Sequence, residues 1–156
     1  MKIAGSIFNK GLLFLLALIL VSCAEPLGTG AKVDLTYVAI ECKTPKCLSY
    51  SFTANAIVKI TSASCDPAFD HWAAASTSLE VTCNPITGCT GNSSDWVDNL
   101  GKNLNQLPSG SYTICGFIDF NDNYPLRTDD DATIEIQSFR IDGVTPIVLK
   151  NWVDPN

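Results

Sequence analysis

The chain holds a single histidine, His71, in 156 residues. A zinc site built on several imidazoles is therefore excluded, and no Cys-x-x-Cys occurs to supply the paired thiolates of a zinc or redox motif. Basic residues are scarce: 10 Lys and Arg stand against 16 Asp and Glu, a net charge of −6. Phosphate affinity comes from clustered Lys and Arg, so nucleic acid is not an expected partner. Beyond residue 22 no second apolar run is long enough to cross a bilayer, which excludes a multispanning helical membrane protein. No G-x-S-x-G elbow is present either. His71 with its neighbours Asp70 and Trp72 is the sole start for a Ser-His-Asp triad, and adjacency in sequence does not make triad geometry. The expectation is a chain that is not an enzyme, with a small hydrolase ranking third among the readings.

What is present begins at the N-terminus. Residues 1–22 hold 15 hydrophobic residues, with Lys2 and Lys10 ahead of an apolar core of 11 residues over 11–21. Positive charge, a short apolar core and then small residues are the pattern of an export signal. Eleven helical residues span about 16 Å, roughly half a hydrocarbon core, so a permanent span is not expected. Without this segment, 57 of 134 residues are apolar, about 43 %, and eight basic residues face 16 acidic ones, a net −8. That apolar share suffices for one core and hardly for two.

The junction Leu20-Val21-Ser22-Cys23 resembles the lipobox of bacterial lipoproteins. The resemblance implies a thioether-linked diacylglycerol on Cys23, cleavage just before it, and N-acylation of the freed amine. Ala24 in place of Asp at the next position implies, by the sorting rule of that family, passage to the outer membrane. Two or three acyl chains give a stable anchor where one would be reversible. Residues 23–31, the acylated cysteine and a Gly-rich stretch with one Pro, read as a tether. Its eight residues after Cys23 reach at most about 26 Å. Residues 32–156 form the expected domain.

That domain reads as all-β. Alternation marks strands over 33–40, 49–60, 79–83 and 132–139, and a further strand closes the chain within 144–153. Residues 111–120 are apolar on both sides, which suits a strand buried between layers. Residues 66–77 hold Trp72 and three consecutive alanines, read as a helical turn in a loop. Residues 94–107 place Ser94 as an N-cap before Trp96, Leu100, Leu104 and Leu107, predicting a short helix. Six or seven strands parted by Pro, Gly, Asn and Asp point to a single β-sandwich. The stretch Leu107-Pro108-Ser109-Gly110-Ser111-Tyr112, running on through Cys115-Gly116-Phe117-Ile118-Asp119, resembles a segment of exported transthyretin-like and Ig-like β-sandwich modules. That resemblance implies adhesion, ligand binding or spacing rather than catalysis.

Setting Cys23 aside leaves Cys42, Cys47, Cys65, Cys83, Cys89 and Cys115, an even number in an exported chain. They are expected as disulfides, with 15 connectivities open. Turn-like inserts between Cys42 and Cys47 and between Cys83 and Cys89 favour local pairing, which leaves Cys65 with Cys115. The oxygen-rich stretch Asp119-Phe120-Asn121-Asp122-Asn123 is followed by Asp129-Asp130-Asp131. Asp119, Asn121, Asn123 and Asp130 match positions 1, 3, 5 and 12 of a calcium loop, without its glycine at position 6. A solvated acidic turn is the alternative. Trp72, Trp96 and Trp152 would stack sugars or a protein partner if exposed, and pack the core otherwise. The leading expectation is a membrane-anchored sandwich that binds a protein or polysaccharide. A purely structural, envelope-maintaining lipoprotein is the alternative.

Overall fold

Every regular element among the described residues is a strand. The structure, a computed structural model, describes residues 30–65, 73–123 and 130–154. The leader and most of the tether lie outside them, as do Trp72 and the Asp70-His71 pair. Nine strands follow in order: β1 (Lys32–Asp34), β2 (Val38–Cys42), β3 (Phe52–Thr61), β4 (Ala75–Asn84), β5 (Gly88–Ser93), β6 (Gln106–Pro108), β7 (Gly110–Asp119), β8 (Ala132–Ile141) and β9 (Ile147–Leu149). Seven form one sheet in the order β8-β7-β3-β4-β5-β2-β9, and β1 pairs with β6 separately. The sheet nearly closes. Beyond β9, Val153 exchanges two backbone hydrogen bonds of 2.8 and 2.9 Å with Thr133 of β8.

Period-two patterning sets the two faces. In β4, Ala75, Thr77, Leu79, Val81 and Cys83 are buried while Ser78, Glu80 and Thr82 are exposed. Strand β7 is buried at every residue from Tyr112 to Asp119, as its two-sided apolar pattern requires. Ala56, Val58 and Ile60 of β3 stand opposite Ile118, Gly116 and Ile114 and face the core. A Cβ at Gly116 would come within 2.9 Å of Ile134 and 3.0 Å of Trp152, so the missing side chain gives those two their room. On the outer face, Ile57, Cys115 and Phe117 form a smaller buried cluster against Cys65.

The residues 94–107 are not helical, which corrects the sequence expectation. Val97 bridges both Ser76 and Asn103, and Leu107 belongs to β6. The Asp98 carboxylate accepts hydrogen bonds from the amides of Leu100 (2.8 Å) and Lys102 (2.9 Å), while Gly101 takes φ +74°. This local turn outcompetes a helix. Leu100, assigned to the apolar face, is 73 % exposed, whereas Trp96 and Leu107 are buried on extended backbone. The single strand expected over 33–40 is broken into β1 and β2 because their partners differ, β6 and β5 respectively. Over 66–77, residues 66–72 lie outside the described chain, and Ala75 opens β4 rather than a helical turn.

Strand direction divides the molecule into two ends. The proximal end holds Gly30 and β1, the ends of β3 and β8, and the starts of β4, β7 and β9. The distal end gathers the Cys42–Cys47 turn, the β4–β5 hairpin, the loop after β7 and Asp154.

Candidate functional site

The distal end is sealed by sulfur and aromatic rings. Cys42, Cys89 and Cys83 occupy one row across β2, β5 and β4, since Cys89 is the direct register partner of both others. Disulfides join Cys42 to Cys47, Cys83 to Cys89, and Cys65 to Cys115, the pairing that the spacings favoured. All four distal cysteines are essentially inaccessible, so they serve as staples filling the end of the core. The hairpin between them needs Gly88: its φ is +74°, and a Cβ there would overlap the Cys42 carbonyl. Phe52 lies between Tyr50 and Phe120, with ring centroids 4.8 and 5.7 Å apart. Lys46 Nζ sits 5.1 Å above the Phe120 ring.

The loop after β7 uses its oxygens locally. Asp119 is buried, and its Oδ1 accepts from the amides of Asn121 and Asn123, both at 3.2 Å. Asp131, also buried, accepts from the Phe120 amide at 3.3 Å. Asp130 points outward, its side chain 73 % exposed. The Lys46 ammonium donates to its carbonyl at 2.7 Å and lies 3.9 Å from its carboxylate. Asn123 Oδ1 is buried with no hydrogen-bond partner among the described residues. Among those residues no group of three or more acidic, Cys or His side chains is placed to hold a metal ion. Asp119 thus gathers the amides of Asn121 and Asn123 around one carboxylate oxygen, while Asp130 lies on the exposed side beside Lys46. Asp129 lies outside the described residues.

The two described tryptophans are buried, so neither offers a stacking surface. Trp96 Nε1 donates to the Thr36 carbonyl at 2.9 Å, and Trp152 Nε1 to that of Leu149 at 3.0 Å. Each buries a large ring while satisfying its one donor.

The proximal end is built differently. There a cavity of about 270 Å³ is lined by Thr61, Ser62, Ala63, Ala74, Leu107, Pro108 and Tyr112. Its position follows from chain order: β3 ends at Thr61, β4 is about to begin at Ala74, and β6 runs past before β7 opens. Its polar atoms are turned onto the backbone. Tyr112 Oη donates to the Pro108 carbonyl at 2.7 Å, and Thr61 Oγ1 accepts from the Ala63 amide at 3.2 Å. What remains facing the space is mostly carbon, with Ser62 the further polar residue in the lining. Burial holds the Tyr112 phenol above its ordinary pKa, so it stays a neutral donor. The cavity is not foreseeable from the sequence, although Leu107, Pro108 and Tyr112 belong to the segment resembling β-sandwich modules. Its signal was faint: alanines at 63 and 74, where larger side chains would have filled the space. Comparison with protein-family models, with curated proteins and with solved structures finds no match to this chain.

Proposed function

We propose that the chain is a bacterial envelope lipoprotein whose β-sandwich is a binding module, held to the outer membrane through lipid on Cys23. The lipobox-like Leu20-Val21-Ser22-Cys23 supports the anchor, and the even set of six paired cysteines supports an oxidising compartment. The finer architecture is an Ig-like or transthyretin-like sandwich. In that reading β8, β7, β3 and β4 form one layer and β5, β2 and β9 the other. β4 and β5 pair over only three positions, and β8 meets the chain beyond β9 at one bridge. Both are weak seams of a flattened sheet. The Tyr112 hydrogen bond to a carbonyl four residues upstream, at the start of a strand, matches the tyrosine corner of Ig-like domains.

The observation that carries the binding reading is the proximal cavity, apolar and close to the volume of a small-molecule site. A titration of the full chain with a fluorophore that brightens on leaving water tests it. Saturable enhancement, abolished by Ala74→Trp, is the expected result. Enhancement absent, or unchanged by that substitution, would overturn the binding reading in favour of an envelope-maintaining lipoprotein without a soluble ligand. The anchor is tested separately, by the mass of the N-terminal peptide: acyl mass on Cys23 is expected, and a free thiol there would refute it.

A further inference from the structure

We infer that the proximal cavity takes the hydrocarbon chain of a single-chain fatty acid drawn from the leaflet beneath it, with the carboxylate at Lys32. The inference rests on the lipoprotein reading for its source of ligand, and on the cavity itself for its chemistry. Three observations converge. First, five of the seven lining residues are alanine, leucine, proline and a tyrosine whose hydroxyl is already engaged, with Thr61 and Ser62 the polar two, so most of the surface offered is carbon and suits a hydrocarbon chain better than a sugar. Taking the ~30 Å³ share of a water molecule as the size of one methylene, 270 Å³ holds about nine of them, the length of a medium acyl chain and too little for two.

Second, the cavity lies where the chain outside the structure ends. The Ala31 carbonyl accepts from the Ser109 amide at 2.9 Å, one residue from the lining Pro108. The seven residues 23–29 reach at most about 24 Å, so an acylated Cys23 holds this end, and not the sealed distal one, beside the lipid. Third, Lys32 is the direct register partner of Pro108. Paired residues in neighbouring strands stand on the same face, which sets an exposed cation beside the lining residue. Anionic headgroups and free carboxylates are what such a cation meets at a membrane surface.

The test is a calorimetric titration of the full chain with straight-chain carboxylates from hexanoate to dodecanoate. Each added methylene that enters the cavity is expected to tighten binding about fourfold, until about nine are accommodated, and to add little thereafter. Alcohols of equal length are expected to bind several-fold more weakly, as is each acid to Lys32→Glu. Affinity independent of chain length would overturn the inference. So would an unchanged affinity in Ala63→Phe, a substitution at an exposed residue that narrows the cavity without touching the core. Circular dichroism of that variant establishes that it is folded. Cys23→Ser separates the sources. Equal affinity in that variant supports a leaflet ligand, whereas a tenfold or greater gain would show the chain's own acyl group as the resident and overturn the leaflet assignment. The mass of residue 23 is read independently, so loss of the anchor and loss of the cavity's chain-length dependence are distinct failures.

Discussion

The two ends of this sheet solve the same problem in opposite ways. Each must close a tube of inward-facing side chains against water. The distal end does so with matter: two disulfides built on one row of three cysteines, three rings in tilted and edge-on contact, and a lysine over the last of them. The proximal end closes with backbone, by looping β6 and the start of β7 across the opening, and leaves a cavity behind. The contrast separates the charged loop, conspicuous in sequence, from the cavity on which the proposed binding rests.

Removing covalent staples tests the contrast most strongly. The Cys65–Cys115 bridge closes a separation of 50 residues, so Cys65→Ser with Cys115→Ala is expected to cost about 4 kcal/mol from chain entropy alone. Chemical denaturation would read it, and a loss below about 1 kcal/mol would mean that the outer cluster of Ile57 and Phe117 holds without the bridge. Replacing Cys83 and Cys89 by Ala, at a separation of six, is expected to cost about 2 kcal/mol by the same reasoning. If the distal pair proved the costlier, sealing the core rather than limiting the unfolded chain would be its main contribution.

Smaller effects sharpen the comparison at the proximal end. Tyr112→Phe removes one hydrogen bond to the Pro108 carbonyl and should cost about 1 kcal/mol. Because burial raises the Tyr112 pKa, its folded form holds the proton more tightly than the unfolded chain does. Its contribution is complete below about pH 10 and falls away as pH rises through the raised value. Wild type should therefore lose stability more steeply than Tyr112→Phe in that window, a difference that alkaline denaturation curves would reveal. Asp98→Ala frees the amides of Lys102 and Leu100. These two bonds hold the Asp98 carboxyl below its ordinary pKa, Lys102 first, so acid should loosen the same turn as pH falls through the lowered value. Hydrogen exchange at those two amides is the measurement, and unchanged protection would remove Asp98 from the explanation of the turn. Calcium is expected to have the least effect. With Asp119 turned to the backbone and Lys46 beside Asp130, the melting midpoint should not move between millimolar calcium and chelator. A rise would place ligands among the residues 124–129 and give the buried Asn123 Oδ1 a partner.

Much of the fold was legible where local pattern and final environment agree. Two-sided apolarity from Tyr112 to Phe117 announced β7, and one-sided alternation from Leu79 to Cys83 announced β4. The cysteine pairs flanking short turns announced their own bridges. Reading failed where a tertiary partner overrode the local signal. Gly88–Ser93 carries almost no apolar pattern, yet it is held as β5 between β4 and β2. Trp96, Leu104 and Leu107 have helical spacing, but each finds its contact on extended backbone once Val97 has bridged Ser76. At the site, the oxygen-rich loop drew attention because its composition is local. The cavity escaped notice because it is a space between residues 61–63, 74 and 107–112, brought together only by strand order.

The amino-acid sequence by itself determined the strongly patterned strands such as β4 and β7 and the cysteine couples close enough to join, because these depend on residues within a few positions of one another. It carried as well the export-like leader and the Cys23 junction. Tertiary structure decided that β9 runs parallel to β2, that β5 lies between β4 and β2, and that the sheet meets itself at Thr133 and Val153. It alone decided that a cavity lies between the end of β3, the start of β4 and the residues around β6. A void is set by the fit of surfaces that are distant along the chain, and no local periodicity encodes the volume left between them.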